Sequence, residues 1–199
     1  WLAGKLELAD AAGGPWRLGP AKLHLHEAAL PAFPDATRFI AAAHDRARSV
    51  AIHCVSEVEL VFALAALEEA GVLPGDRIEH ASVTPPGLLD RIAKLCLHVC
   101  VQPHFVAERG DQYLADVEPR HLPDLYRLRS FMTAGIPLAG GSDAPFASAD
   151  PWDAMRAAVA RTTATGQEID ASEALDPEAA LALYLADPAD LARQRRLMP

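Results

Sequence analysis

The sequence predicts an α/β protein in which parallel strands form a sheet and helices pack outside it. One observation is that short segments rich in Val, Ile or Leu, flanked by turn residues, alternate with longer segments whose apolar residues recur at helical spacing. A second is that this strand–helix order favours a parallel sheet with right-handed crossovers. The predicted strands are residues 21–27, 49–55, 77–82, 98–103 and 136–143.

Helices are predicted between and after these strands, at residues 35–47, 57–70, 86–95, 123–134, 150–163 and 177–186. Gly71 and Gly135 follow two of them, as glycine does at helix C-termini. Asp150 followed by Pro151 is typical of a helix N-terminus. There an Asp side chain accepts hydrogen bonds from free backbone N–H groups, and Pro has no N–H to leave unpaired.

Two stretches are predicted to be loops. Residues 1–20 are rich in Gly and Pro and predict a lead-in loop with one partial strand at 5–9, so that residues 21–199 form the main body. Residues 109–121 are polar and are interpreted as a mobile lid or an ordinary surface loop. The chain begins at Trp1 without an initiator Met, so we expect a processed product or part of a longer one.

The composition indicates a globular protein. Of 199 residues, 51% are hydrophobic and 23% charged, which excludes a disordered or coiled-coil chain. The net charge of −9 disfavours nucleic acid and anionic membranes as partners, and no apolar run is long enough to cross a bilayer. Three cysteines without regular spacing make no disulfide framework, so we expect a reducing compartment and a cytoplasmic location.

Polar residues stand near the carboxyl ends of the predicted strands, although strands buried on both faces are usually apolar. Active sites of parallel α/β proteins form at this edge. The spacing supports one shared edge, because 27 residues separate His26 from His53 and 27 separate His53 from His80. The residues concerned are His24, His26, His53, His80, Gln102, His104 and Asp143.

Imidazole and carboxylate side chains on one edge predict a site for a divalent metal, with zinc the usual ion. A bound metal lowers the pKa of its water to ~7. Asp143 is placed to take the proton of that water and pass it to the leaving group. The alternative is that the histidines are structural, as a single histidine at a strand end usually is. His44, His98 and His121 are interpreted as solvent-facing.

Three strings of residues carry a resemblance to a known family. They are Arg-Ile-Glu-His-Ala at 77–81, Val-Gln-Pro at 101–103 and Pro-Leu-Ala-Gly-Gly-Ser-Asp-Ala-Pro at 137–145. Together they resemble the amidohydrolase superfamily, and within it amidohydrolase family 3, the YtcJ-like metal-dependent hydrolases. The resemblance extends over roughly residues 22–186.

The resemblance implies the second part of a (β/α)₈ TIM-type barrel, about strands four to eight, with parallel strands and outer helices. It implies that Lys22 on strand four, His53 on strand five and His80 on strand six bind one or two divalent ions, with zinc expected. Asp143 on strand eight is then both a metal ligand and the catalytic base. Lys22 is the residue that the family often carboxylates to bridge two metals.

The chain also departs from the family's pattern. The first-strand His-x-His and strands one to three are missing. Cys54-Val55 stands where the family has Gly-Asp, and a histidine follows Gln102 by two residues instead of three. His104, Gln102 and Arg77 are therefore second-rank, substrate-binding candidates that polarise the carbonyl or orient ligands.

The sequence thus predicts an amidohydrolase, incomplete in this chain, that cleaves an amide or related non-peptide C–N bond of a small molecule with metal-activated water. One alternative is a truncated or degenerate, non-catalytic barrel that acts as an interaction or regulatory module. A weaker one is a metal-free barrel enzyme of another class. An open five-stranded sheet leaves two unpaired edges, so we expect pairing with a second copy or with the missing N-terminal half.

Overall fold

The computed structural model describes residues 18–188 and 190–195. Its main sheet has five parallel strands in the order in which they occur along the chain. They are β1 (Ala21–His24), β2 (Val50–Cys54), β3 (Arg77–His80), β4 (His98–Val101) and β5 (Leu138–Gly140). The predicted α/β class and parallel sheet are confirmed, and the described strands do not close into a barrel. The strand predicted at 5–9 lies outside the described residues.

The helices that connect and follow these strands are α1 (Phe33–His44), α2 (Glu57–Ala70), α3 (Pro86–Lys94), α4 (His104–Asp116), α5 (Leu128–Thr133), α6 (Pro151–Ala160) and α7 (Pro177–Leu185). A short antiparallel pair, β6 (Ala186–Asp187) and β7 (Asp190–Gln194), follows α7. None of the helices in the described residues is long and apolar enough to cross a membrane.

The apolar core lies between the helices and one face of the sheet. Side chains alternate between the two faces of a strand, and those on the helix side, such as Ile52, Ile78 and Val99, are completely buried. The register aligns Lys22, Ala51 and Arg77 across the other face, and it aligns His53 with Glu79 in the next row. The sheet therefore keeps one face apolar for folding and the other polar for a site.

The segment predicted as a loop at 109–121 is mostly helical, so that prediction is wrong. It belongs to α4, which continues to Asp116. Gly110, a loop signal in the sequence, lies inside this helix at a close contact. A Cβ there would lie 2.6 Å from Cγ2 of Thr163, so the missing side chain lets α4 approach the segment after α6.

The helix predicted at 123–134 is also corrected, because α5 begins only at Leu128. Before it, Pro119–Asp124 forms a 3₁₀ helix and Tyr126 has φ +49°, outside the helical region. The buried Arg161 guanidinium donates to the carbonyl oxygens of Leu125 and Tyr126, each at 3.0 Å. A tertiary contact therefore fixes this stretch in a non-helical conformation.

None of the three histidines predicted to face solvent is exposed. His44 is half-buried at the end of α1, with Nε2 3.1 Å from Oδ1 of Asp76. His98 is buried at the start of β4, in register with Arg77. The third, His121, is also half-buried and lies 3.5 Å from a carboxylate oxygen of Glu57. Neighbouring elements, which local sequence does not reveal, cover all three rings.

Candidate metal centre

A cavity of about 560 Å³ opens at the carboxyl edge of the sheet, where the sequence predicted a site. Three of the four predicted metal-site residues line it, namely Lys22, His80 and Asp143. The fourth, His53, contacts His80, with ring centroids 4.4 Å apart and ring planes at 73°. The structure therefore places three of these residues around one cavity and the fourth in contact with one of them.

His80 reaches the cavity through an unusual backbone conformation. Its register partner Cys54 is buried in the apolar core on the helix side, so a regular strand would turn His80 the same way. Instead φ is +72° at His80 and +46° at Ala81. Residues other than glycine rarely adopt these values, and they persist where surrounding structure enforces them, often at functional sites.

The strand register corrects the argument from equal 27-residue spacing. His53 pairs with His24 on β1 and with Glu79 on β3. His26 lies beyond β1, exposed, and its Nδ1 accepts a hydrogen bond from the backbone N–H of Ala28. The equal intervals therefore do not mark equivalent positions. His24 is the neighbour of His53, and the two rings stack at 4.2 Å.

Both histidines at the cavity are held in the neutral form. Burial, together with the electrostatic influence of the neighbouring His80, His24 and Lys22 side chains, lowers the pKa of His53 to about 3. Burial also lowers the pKa of His80, although the carboxylate of Asp143 opposes that shift. A neutral imidazole keeps a free nitrogen lone pair at neutral pH, which is the form that binds a metal.

A row of charged side chains lies beside the histidines on the polar face. Nε of Arg77 donates to Oε1 of Glu79 at 2.7 Å, and both residues are buried. Burial lowers the pKa of Lys22, although Glu79 opposes it. Burial raises the pKa of Glu79, but the charges of Arg77 and Lys22 outweigh this, so the net shift is downward. Arg77, a predicted substrate contact, thus lies in the cavity wall with Nε paired to Glu79.

The other two substrate-binding candidates occupy different positions. Gln102 lines the cavity, and its buried Oε1 has no hydrogen-bond partner among the described residues. His104 is only 1% exposed and lines a second hollow, with Nε2 2.8 Å from the carbonyl oxygen of Ser142. Because the carbonyl accepts, Nε2 carries the proton. His104 therefore contacts the loop that carries Asp143, and it is not part of the first cavity's wall.

Two glycines bring the end of β5 close to its neighbours just before Asp143. A Cβ on Gly140 would lie 2.8 Å from the ring of Tyr184, and one on Gly141 would lie 3.2 Å from Sγ of Cys100. The strand end passes between these side chains, as the Gly-Gly pair in the sequence suggested. It delivers Asp143, exposed and with φ +51°, to the cavity mouth.

The donors present fit part of a metal site. Among residues 18–188 and 190–195, no three His, Cys, Asp or Glu side chains are already grouped to hold an ion. Two neutral imidazoles nevertheless meet beside a lysine and a carboxylate. Nδ1 of His80 is buried without a partner in that part of the chain, and a buried polar atom of this kind costs stability unless something binds it. The four predicted residues therefore remain candidate ligands, two through imidazole nitrogens and two through a lysine and a carboxylate.

A sequence model described as "Amidohydrolase family" matches residues 7–196, nearly the whole chain. The chain belongs to the amidohydrolase family. The match confirms the resemblance seen in the three sequence strings. It also agrees with the structural similarity to a metal-dependent hydrolase.

The relatives of this chain are much longer than the chain itself. The chain is 30% identical over 152 residues to the putative amidohydrolase YtcJ of Bacillus subtilis, and the match covers 74% of this chain and 29% of that protein. It is 30% identical over 115 residues to the N-substituted formamide deformylase of Arthrobacter pascens, covering 57% and 21%. A crystal structure of an uncharacterized metal-dependent hydrolase from Pyrococcus furiosus superimposes with TM-score 0.67 at 31% identity, covering 76% and 31%. The chain therefore spans less than a third of these relatives.

Glu79 is a site residue of this amidohydrolase that the sequence did not single out. Its carboxylate is buried in the cavity wall, paired with Arg77 and close enough to Lys22 to act on its pKa. The available signal was two opposite charges, two residues apart, on a strand otherwise expected to be apolar. Such a pair must share one face of the strand, and burial then requires the charges to neutralise each other.

Proposed function

We propose that this amidohydrolase is part of an enzyme that hydrolyses an amide or related non-peptide C–N bond of a small molecule at a divalent metal, with zinc the expected ion. One observation carries the proposal: His53 and His80 are in contact, both with lowered pKa, beside the cavity that Lys22 and Asp143 line. The deformylase among the relatives acts on N-substituted formamides, as its name states, which supports the C–N assignment.

In this mechanism His53 and His80 would hold the metal through their neutral nitrogens, and Lys22 and Asp143 would be the further ligands. A bound divalent ion supplies Lewis acidity and makes a water molecule more acidic. Asp143 accepts a proton from the attacking water and returns it to the leaving nitrogen, so that the amine departs neutral. Gln102 and Arg77, both in the cavity wall, are the side chains that orient the acyl group.

Lys22 acts as a ligand only after losing its positive charge. Burial lowers its pKa and so increases the fraction of neutral amine. A neutral amine adds to carbon dioxide and releases one proton, which gives a carbamate that binds metal through its oxygens. We therefore propose carboxylation of Lys22 as the route by which this strand contributes a ligand.

A non-catalytic interaction or regulatory module is the second candidate. The observation that favours it is that no three standard metal donors are grouped in the described residues. The open sheet supports a further proposal, namely that a second copy or another part of a longer protein covers the polar face. In the described residues β1 pairs only with β2, and β5 only with β4.

Titration of Zn²⁺ into the metal-free chain separates the two candidates. We expect saturable binding by isothermal titration calorimetry, weakened about tenfold or more in His53→Ala and His80→Ala because each removes one ligand. His121→Ala, which removes a histidine beside Glu57 instead of one at the cavity, is the matched control and binds as the wild type does. Equal binding by all four proteins, or none by any, favours the module.

Asp143→Asn tests the catalytic role. With a panel of N-formyl and N-acyl amines, and release of primary amine as the readout, we expect turnover to fall roughly 10²–10⁴-fold because the proton carrier is lost. Elemental analysis still finds most of the zinc bound, because asparagine keeps a side-chain oxygen that can ligate the metal. Undiminished turnover contradicts the role assigned to Asp143.

A further inference from the structure

The loop after β5 holds Asp143 in a conformation that needs support from outside the loop. Asp143 has φ +51°, in the left-handed region. A residue other than glycine keeps such a φ only when its surroundings enforce it. Inside the loop, the N–H of Phe146 donates to the carbonyl of Asp143 at 3.0 Å, and the N–H of Ala144 donates to Oγ of Ser142 at 3.3 Å. These two bonds close a turn but do not fix where the turn lies.

The first support comes from the N-terminus of α4. His104 is buried, and its Nε2 donates to the carbonyl oxygen of Ser142, the residue directly before Asp143, at 2.8 Å. The ring lies beside the Phe105 ring, with centroids 5.1 Å apart. A buried side chain in van der Waals contact has little freedom, so this hydrogen bond fixes one end of the loop.

The second and third supports come one helical turn later. The Arg109 guanidinium donates to the carbonyl oxygen of Phe146 at 2.6 Å, and Oε1 of Glu108 accepts from the N–H of Ser148 at 3.0 Å. Arg109 also lies 4.6 Å above the centre of the Phe105 ring, which holds the guanidinium in place. Glu108 follows His104 by four residues and Arg109 follows Phe105 by four, so each pair lies one above the other on the helix, and the hydrogen bonds show that α4 presents His104, Glu108 and Arg109 to the loop.

We propose that His104, Glu108 and Arg109 form a clasp that fixes the backbone on both sides of Asp143 and holds that residue in its left-handed conformation at the cavity mouth. The clasp holds residue 142 on one side and residues 146 and 148 on the other. The three are positioning residues. Their effect on turnover rests on the proposed function of Asp143, whereas their effect on the loop does not.

Hydrogen exchange of the loop amides in the full chain tests the clasp without any substrate. Glu108→Ala and Arg109→Met are the variants, and both change residues that are not fully buried, so folding is retained. We expect the N–H of Phe146, whose acceptor is Asp143, to exchange at least about fivefold faster in each, because the loop opens more often. Amides of β2 and α2 keep their wild-type rates.

Two controls separate the clasp from a general loosening of α4. Glu108→Gln keeps an oxygen acceptor for Ser148 and restores slow exchange at Phe146. Gln112→Ala changes an exposed α4 residue whose side chain bonds, among the described residues, only to Asp116, and it leaves the loop unaffected. Unchanged exchange at Phe146 in both Glu108→Ala and Arg109→Met overturns the proposal.

Kinetics supply the second readout. When the wild type hydrolyses one of the amides, we expect kcat to fall more than tenfold in Arg109→Met while KM stays within threefold, since the substrate-facing cavity wall is untouched. A faster-exchanging loop with unchanged kcat overturns the positioning role. A wild type without metal-dependent hydrolysis refutes the proposed function, and the exchange rates then still decide whether the clasp holds the loop.

Discussion

Buried polar side chains at the two ends of the same sheet differ in their hydrogen bonding. At the amino edge, the buried carboxylate of Asp76 accepts from the backbone N–H groups of Val50 and Leu73, each at 2.8 Å, and lies 3.1 Å from His44. At the carboxyl edge, buried atoms of His80, Gln102 and others lack a partner among the described residues. Satisfied groups stabilise the fold, whereas unsatisfied buried groups cost stability.

The comparison predicts the largest loss of stability at the amino edge. Asp76→Ala leaves two backbone N–H groups and the His44 ring without their acceptor, so we expect the free energy of unfolding to fall by about 3 kcal/mol or more. Urea denaturation of the metal-free chain measures it. Asp90→Ala, which removes an exposed carboxylate on α3, changes the value by less than about 0.5 kcal/mol. Equal losses in the two variants refute the structural role of Asp76.

How much of the structure can be predicted from the sequence depends on whether the interactions are local or join residues far apart along the chain. The five strands follow from local β-type segments, and the placement of His80 and Asp143 at strand ends follows from the Arg-Ile-Glu-His and Gly-Gly-Ser-Asp strings. The helical state of α4 does not, because the glycine at position 110 is explained by the close approach of Thr163 and Ile169, both more than 50 residues away. Strict alternation along β3 would turn His80 to the helix side with Cys54, whereas its positive φ places it in the cavity wall, where the sequence predicted it.

The roles of individual site residues show the same limit. His104 was predicted to contact substrate because it stands near a strand end, yet its ring is committed to the Ser142 carbonyl on a loop 38 residues later. Glu79 was passed over although it lies in the cavity wall. Which polar group faces a ligand and which faces the protein is decided by tertiary contacts that spacing along the chain does not encode.

At the carboxyl edge, in contrast, we expect removal of a buried polar side chain to leave the stability unchanged or to raise it. Gln102→Met fills similar space and removes the unpartnered Oε1, at the cost of one 3.3 Å hydrogen bond from Nε2 to the carbonyl of Cys100. We expect the metal-free variant to be as stable as the wild type or more stable by about 1 kcal/mol, because removing an unsatisfied buried group recovers its desolvation cost. Urea denaturation in the presence of a chelator checks this. A loss as large as that of Asp76→Ala would erase the difference between the two edges.

At neutral pH the smallest expected effect is that of His53, which contributes a pH dependence only below pH 6.5. Its pKa is about 3 in the folded chain against an ordinary value of 6.5, so between these pH values the unfolded chain binds more protons than the folded one. Stability therefore falls as the pH decreases from 6.5 towards 3, and above 6.5 this residue adds no pH dependence. His53→Gln removes the titrating group, so we expect its stability to decline less steeply over that range in urea melts of the metal-free chain. Identical slopes for the two proteins would mean that His53 titrates normally, and that its nitrogen is not held neutral in advance of metal binding.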